Sequence, residues 1–412
     1  MSKHQRISIS ARYLTTAITL FALSLIAVLE AVAQEAEPPR EWIDRDTGHR
    51  VVRLTDEPNS QSLYFHQNPY TASGDKMVYT SRTGLYVYDF KSGQSKLLVD
   101  GRVGSVIVGP KTRQVFYFKA DTVYATNLDS GETRQIVKRA ELRSGSGFAV
   151  NADETLLGGS YVEGGQQFTN PAPPRPGQPG DSYPGKALMM ERRLAAKLPM
   201  ALYTIDIKSG DVKSFYRSTD WLNHVQFSPT DPTLMMYCHE GPWHKIDRIW
   251  SIRTDGSANR LMHKRTMDME IAGHEFFGPD GNIWFDLQTP KSKVFWLAGV
   301  NVATGKTTRY PVPRAEWSVH FNISPDGKLF AGDGGGPKSV AAPGNGQWIY
   351  LFEPAGDRLK ATKLVNLAKH DYGLEPNVTF TPDQKWIVFR SNMLGATYVF
   401  AVEVRKSETS RN

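Results

Sequence analysis

The 412-residue chain has a single cysteine, Cys238. That excludes a disulfide framework and any metal site built from several cysteines. Long amphipathic stretches are also scarce: the one helical pattern is Ala187–Leu198, too little for alternating strands and crossover helices. After the first 33 residues no apolar run approaches the roughly 20 residues that a membrane span needs. Neither G-x-S-x-G nor H-E-x-x-H occurs, which disfavours a serine-elbow acyl transferase and a zincin-type hydrolase. Lys and Arg (49) exceed Asp and Glu (42), giving a formal charge of +7. The bases are scattered and no nucleic-acid motif accompanies them, so the excess points at most to acidic small ligands.

Turn formers and aromatics are plentiful, with Gly 35, Pro 25 and 11% Phe, Trp and Tyr. That mixture suits short strands joined by tight turns. At the N-terminus, Lys3, Arg6 and Arg12 precede the apolar stretch Leu14–Leu29, and Ala31-Val32-Ala33 gives a small-residue cleavage pattern. Residues 1–33 therefore read as an export signal. The expected mature chain is a periplasmic or secreted protein with no stable membrane insertion after cleavage.

The rest repeats. An apolar strand, a turn like Ser-Pro-Asp-Gly and a second apolar strand recur seven times, most clearly as FNISPDGKLFAGD from Phe321, EFFGPDGNIWFD from Glu275 and VTFTPDQKWIVFR from Val378. A further pair of alternating strand-like runs follows each copy, as in LYTIDIKSGDVKSFY. Seven units of four antiparallel strands predict an all-β fold, a seven-bladed β-propeller over 34–412. The Pro/Gly-rich stretch near 163–186 reads as a surface insertion.

Aligning the copies on the turn places Asn68, Ser105, Gly147, His224, His274, His320 and Asn377 at one equivalent position, five residues upstream. In a propeller this position lies at the mouth of the central channel. The second strands return to the same face with Arg82, His239, Asp286, Asp333 and Arg390 at their ends. His244, Arg248, His66 and Glu375 lie close by in sequence. Propeller histidines also tie blades together structurally, but three at one repeat position, beside arginines, favour a site. His49, His263 and His370 have no repeat equivalent and read as surface residues, and Cys238 as a buried, inert thiol.

Histidine and arginine together suit a substrate that carries carboxylates. Arginine pairs a carboxylate bidentately, a metal held by His, Asn and Glu polarises it, and a histidine of pKa about 6.5 takes a proton from carbon. β-Elimination from a uronic acid needs those three things: the C5 proton is removed beside the C6 carboxylate, and the C4–O bond breaks to leave an unsaturated sugar.

The tracts CHEGPWHKIDRIW, AGHEFFGPDG, SVHFNISPDGKLFAGDG, EPNVTFTPD and YFHQ resemble those of oligogalacturonate lyases. The resemblance implies a seven-bladed propeller that cleaves short pectin fragments by β-elimination with a manganese-type ion. It implies His274 as the proton-abstracting base, Arg248 as the arginine on the substrate and His320 as a metal ligand. Where the family carries two further histidine ligands and a glutamine, this chain has Glu375 and Asn377, with Tyr372 near the glutamine position. That oxygen-richer set is compatible with Mn²⁺, Mg²⁺ or Ca²⁺. His224, His239, His244, Arg390, His66 and Arg82 are the expected substrate-binding residues, and the expected partner is an acidic, uronic-acid-containing oligosaccharide. The competing reading is a non-catalytic periplasmic propeller resembling TolB, with Glu375 and Asn377 marking a decayed site.

Overall fold

A computed structural model describes residues 38–144, 146–166, 168, 187–337 and 346–406. The expected signal and most of the Pro/Gly-rich insertion lie outside the described residues. The chain divides into a unit ending at Arg40 and the unit Glu41–Asn412, which carries everything below. Among the described residues no helix is long and apolar enough to cross a membrane.

Seven antiparallel sheets follow one another along this unit. Blade 1 is Lys76–Thr80, Gly84–Asp89 and Gln94–Asp100, with bridges at Gln61 and Tyr70 marking its inner edge. Blade 2 runs from Gly104 to Lys138, blade 3 from Ser146 to Ser218, blade 4 from Trp221 to Leu261, blade 5 from Ile271 to Pro311 and blade 6 from Phe321 to Asn366. The predicted helix forms as Ala187–Ala196, inside blade 3. Blade 7 combines the two ends of the chain: Thr379–Phe380, Trp386–Leu394 and Ala396–Glu403 are completed by Arg50–Arg53 and Glu41–Ile43. The repeat count thus matches the sequence reading, whereas this closure left no mark in the repeats. The first strands lack the turn signature, and their partners are more than 300 residues away.

Strand alternation buries apolar side chains on both faces of each sheet, and among the described residues seven hydrophobic clusters are each shared by two neighbouring blades. Blades 5 and 6, for example, meet through Trp284, Phe295, Trp317, Phe321 and Phe352, with Phe65 added from the start of the ring. Amide side chains tie inner strands across blades. Gln226 donates to the Glu275 carbonyl and accepts from the Phe277 N–H, and Asn322 does the same with Phe65 and Phe380.

Candidate active site

The aligned position has a shared backbone signature. Ser105, Gly147, His224, His274 and Asn377 all have φ between +46° and +74°. In blades 2 to 5 the inner strand carries one extra residue here, so pairing skips from Gly104 to Ile107, Ser146 to Phe148, Asn223 to Gln226 and Gly273 to Phe276. Such a bulge turns one side chain out of the pleat. At Gly147 there is no room for any: a Cβ would lie 2.8 Å from the Val225 nitrogen. For a histidine the left-handed conformation is costly, about 1–3 kcal/mol, and it persists only where the surroundings impose it.

The bulges bring the rings together. His274 and His320 lie 4.5 Å apart, centroid to centroid, at an interplanar angle of 73°. Tyr64 sits against both His66 and His320, with centroids at 5.0 and 5.3 Å, and His66 lies 5.8 Å from His224. Each of the two central histidines is held by a carboxylate at the end of the adjacent strand. His274 Nδ1 is 2.8 Å from Asp286 Oδ1, and His320 Nδ1 is 2.7 Å from Asp333 Oδ2. Asp333 also accepts the backbone N–H groups of His320 and Asn377. The carboxylates fix the proton on Nδ1 and leave both Nε2 lone pairs for the site. Burial pulls the His274 pKa down, but the Asp286 charge and hydrogen bond outweigh it, so the net shift is upward. Burial and the neighbouring His224 push His66 down to about 3.

Glu375 reaches the same place, with Oε2 at 3.8 Å from His320 Nε2. The Tyr64 hydroxyl lies 3.3 Å from that nitrogen. A divalent cation suits these two residues: an imidazole nitrogen backed by a carboxylate, facing a half-exposed carboxylate oxygen. Asn377 does not suit the ligand role expected of it. Its Oδ1 accepts the Phe65 N–H at 3.1 Å, its Nδ2 donates to the Glu375 carbonyl at 3.1 Å, and it is fully buried. It orders the mouth rather than lining it. Tyr372, near the glutamine position, donates its hydroxyl to the Asp333 carbonyl.

The two arginines also differ from expectation. Arg248 is buried and already paired: NH1 and NH2 fork onto Glu240 at 2.6 and 3.2 Å, and Nε donates to Glu275 at 2.9 Å. The fork expected to hold substrate is occupied by Glu240. Arg248 in turn holds the Glu275 carboxyl at about 2 against the effect of burial. Arg390 donates only to neutral acceptors, the Glu375 carbonyl at 2.7 Å, Gln61 Oε1 at 3.1 Å and the Ser62 carbonyl at 3.4 Å. Its positive charge has no bonded carboxylate among the described residues.

Three expected substrate residues stand apart. His239 stacks on Trp250 at 4.8 Å and lies 3.7 Å from Asp220, His244 lies 3.7 Å from Glu191 of the helix, and Arg82 is exposed in a hairpin turn. Among the described residues no contact links these three to the His274–His320 pair. The histidines read as surface residues are buried. His370 bridges Ser391 and the Leu374 carbonyl, His49 meets the Glu403 carbonyl, and His263 meets Glu270 at 2.7 Å. Glu275 and Tyr64 were missing from the expected set. Both nevertheless lie in tracts that carry the family resemblance, Glu275 in AGHEFFGPDG and Tyr64 in YFHQ.

The chain is similar to several known proteins. The family model described as oligogalacturonate lyase matches residues 191–408. An oligogalacturonate lyase of Dickeya dadantii is 25% identical over 416 residues, covering 88% of this chain and 95% of that one. An oligogalacturonide lyase of Pectobacterium atrosepticum is 24% identical with the same coverages. Among solved structures, an oligogalacturonate lyase in complex with manganese superposes with a TM-score of 0.74 at 22% identity, covering 90% of this chain and 97% of that one. The Vibrio parahaemolyticus oligogalacturonate lyase gives 0.75, again at 22% identity and with the same coverages. These matches do not favour the scaffold reading: the chain belongs to the oligogalacturonate lyase family and is a lyase.

Proposed function

We propose that the protein cleaves short oligogalacturonates, or a closely related uronic-acid oligosaccharide, by β-elimination at the mouth formed by blades 4 to 7. The observation that carries this is the pair of Asp-backed histidines, His274 and His320, whose rings lie 4.5 Å apart, centroid to centroid. His274 takes the C5 proton through Nε2, while Asp286 holds Nδ1–H and stabilises the imidazolium that forms. Arg390 meets the substrate C6 carboxylate, having no carboxylate of its own to satisfy. Arg248 supports the site from below by holding Glu240 and Glu275. His320 and Glu375 would hold a divalent cation, Mn²⁺ by preference, and that ion would add charge against the enolate that develops. The leader read in the sequence supports action in the periplasm or outside the cell.

A panel of uronic oligosaccharides, followed by the ultraviolet absorbance of the unsaturated product, tests this. The wild type should give absorbance on at least one member. His274→Ala should lower kcat by about 10²–10⁴-fold with a smaller change in KM. No product from any member, or an undiminished His274→Ala variant, would reject the assignment.

A further inference from the structure

His224, Cys238 and Glu240 take no step in this reaction, yet they place three different donor types together. An imidazole nitrogen, a thiol sulfur and a carboxylate oxygen, all from the two inner strands of blade 4, lie within 4.8 Å of one another. His224 Nε2 is 3.5 Å and Cys238 Sγ is 3.8 Å from the same oxygen, Glu240 Oε2. Tetrahedral zinc, with bonds of about 2.0–2.3 Å, spaces its ligand atoms about 3.3–3.6 Å apart. The two separations to Glu240 stand close to that spacing, and the third lies within 4.8 Å.

A second observation points to the same place. His224 Nδ1 and Glu275 Oε1 are both buried, both without a hydrogen-bond partner and 3.8 Å apart. An ion on Nε2 leaves the proton on Nδ1, facing Glu275, so a small approach completes a carboxylate–histidine–metal relay. The charges also fit. Glu240 and Glu275 share the single guanidinium of Arg248, which leaves one negative charge in excess in a buried cluster. A divalent ion that displaces the thiol proton to solvent makes the cluster neutral. The competing contacts on Glu240 Oε2 are long, 3.2 Å from Arg248 NH2 and 3.3 Å from Asn223 Nδ2, and Arg248 keeps Oε1 at 2.6 Å.

We propose that His224, Cys238 and Glu240 form a site for one borderline-soft divalent cation of the zinc class, separate from the His320–Glu375 position and with its fourth corner open. A thiolate ligand selects zinc or cobalt over magnesium and calcium. The proposal stands independently of the reaction assigned above, since its readout is spectroscopic.

The test is titration of the metal-stripped full chain with Co²⁺. Cys238 is the chain's one cysteine, so any thiolate-to-cobalt charge-transfer band in the near ultraviolet reports this site alone. The wild type should develop that band with intense visible tetrahedral absorption, and Zn²⁺ should abolish both. Cys238→Ser and Glu240→Gln should lose the band, and His320→Ala should retain it. Because the decisive measurement is on the wild type, a variant that fails to fold does not rescue the idea. Cobalt binding without the thiolate band, or a band lost in His320→Ala with circular dichroism unchanged, would overturn it.

Discussion

Asp286→Asn is the sharpest probe of the proposed base. The carboxylate sits 2.8 Å from His274 Nδ1 and is itself buried, so two effects follow from one substitution. The first concerns the proton. Asp286 accepts from Nδ1–H and leaves the Nε2 lone pair free, whereas an asparagine can donate its own N–H to Nδ1. That places the imidazole proton on Nε2 and removes the lone pair that must take the C5 proton. The rate should then fall by much of the general-base contribution, about 10²–10⁴-fold in kcat, or about 2.7–5.5 kcal/mol in the barrier. The second concerns titration. Only neutral His274 is a base, so activity rises with pH through its pKa. Asp286 raises that pKa above the ordinary histidine value against burial, which lowers it. With the carboxylate gone and burial unchanged, the acidic limb of the kcat profile should move to lower pH. The assay is the pH dependence of product absorbance for the wild type and for Asp286→Asn, with circular dichroism to confirm folding. A folded Asp286→Asn enzyme with kcat within a few-fold of wild type and an unmoved limb would refute both the dyad and the assignment of His274.

Four other outcomes are expected. Arg248→Met leaves Glu240 and Glu275 buried without their cation, so it should cost about 3–5 kcal/mol of stability, read as a lower melting temperature and denaturant midpoint. Arg390→Met should raise KM more than it lowers kcat, because it removes the free charge assigned to the substrate carboxylate; an unchanged KM would transfer that role to another cation. Asn377→Ala strands the buried Phe65 N–H, since the Glu375 carbonyl keeps its Arg390 donor, so it should cost about 1–3 kcal/mol in thermal or denaturant melts, while Glu375→Gln should weaken Mn²⁺ binding in calorimetry with little loss of stability.

The sequence revealed the ring of inner-strand positions because the Pro-containing turn fixes a register, and that register is carried into the fold by a one-residue bulge. It did not reveal the bulge itself. Non-glycine residues at φ > 0 are uncommon, and no local signal marks the left-handed residues at His224 and His274. Nor could it tell the two arginines apart. Arg248 is neutralised by carboxylates 8 and 27 residues away, and Arg390 reaches back 329 residues to Gln61. Asn377 looked like a ligand because it occupies a ligand's position, but its amide is engaged by Phe65, 312 residues earlier in the chain. Side-chain identity was legible from the repeat; side-chain occupancy depends on contacts that cross the ring.

The closing blade ties the completion of the site to the pairing of strands from opposite parts of the sequence. Arg50–Arg53 docks on Ala396–Glu403, and the segment that follows it carries Tyr64, Phe65 and His66 into the mouth, where Phe65 engages Asn377 and Asn322. Blades 2 to 6 can each form from neighbouring sequence, but Tyr64 and His320 can meet only after the two ends of the chain have joined. Contacts spanning more than 300 residues carry a large loop-closure cost and form slowly. A molecule with most of its sheets in place but the ring open would therefore lack the Tyr64–His320 contact and the Phe65 bonds that order the mouth.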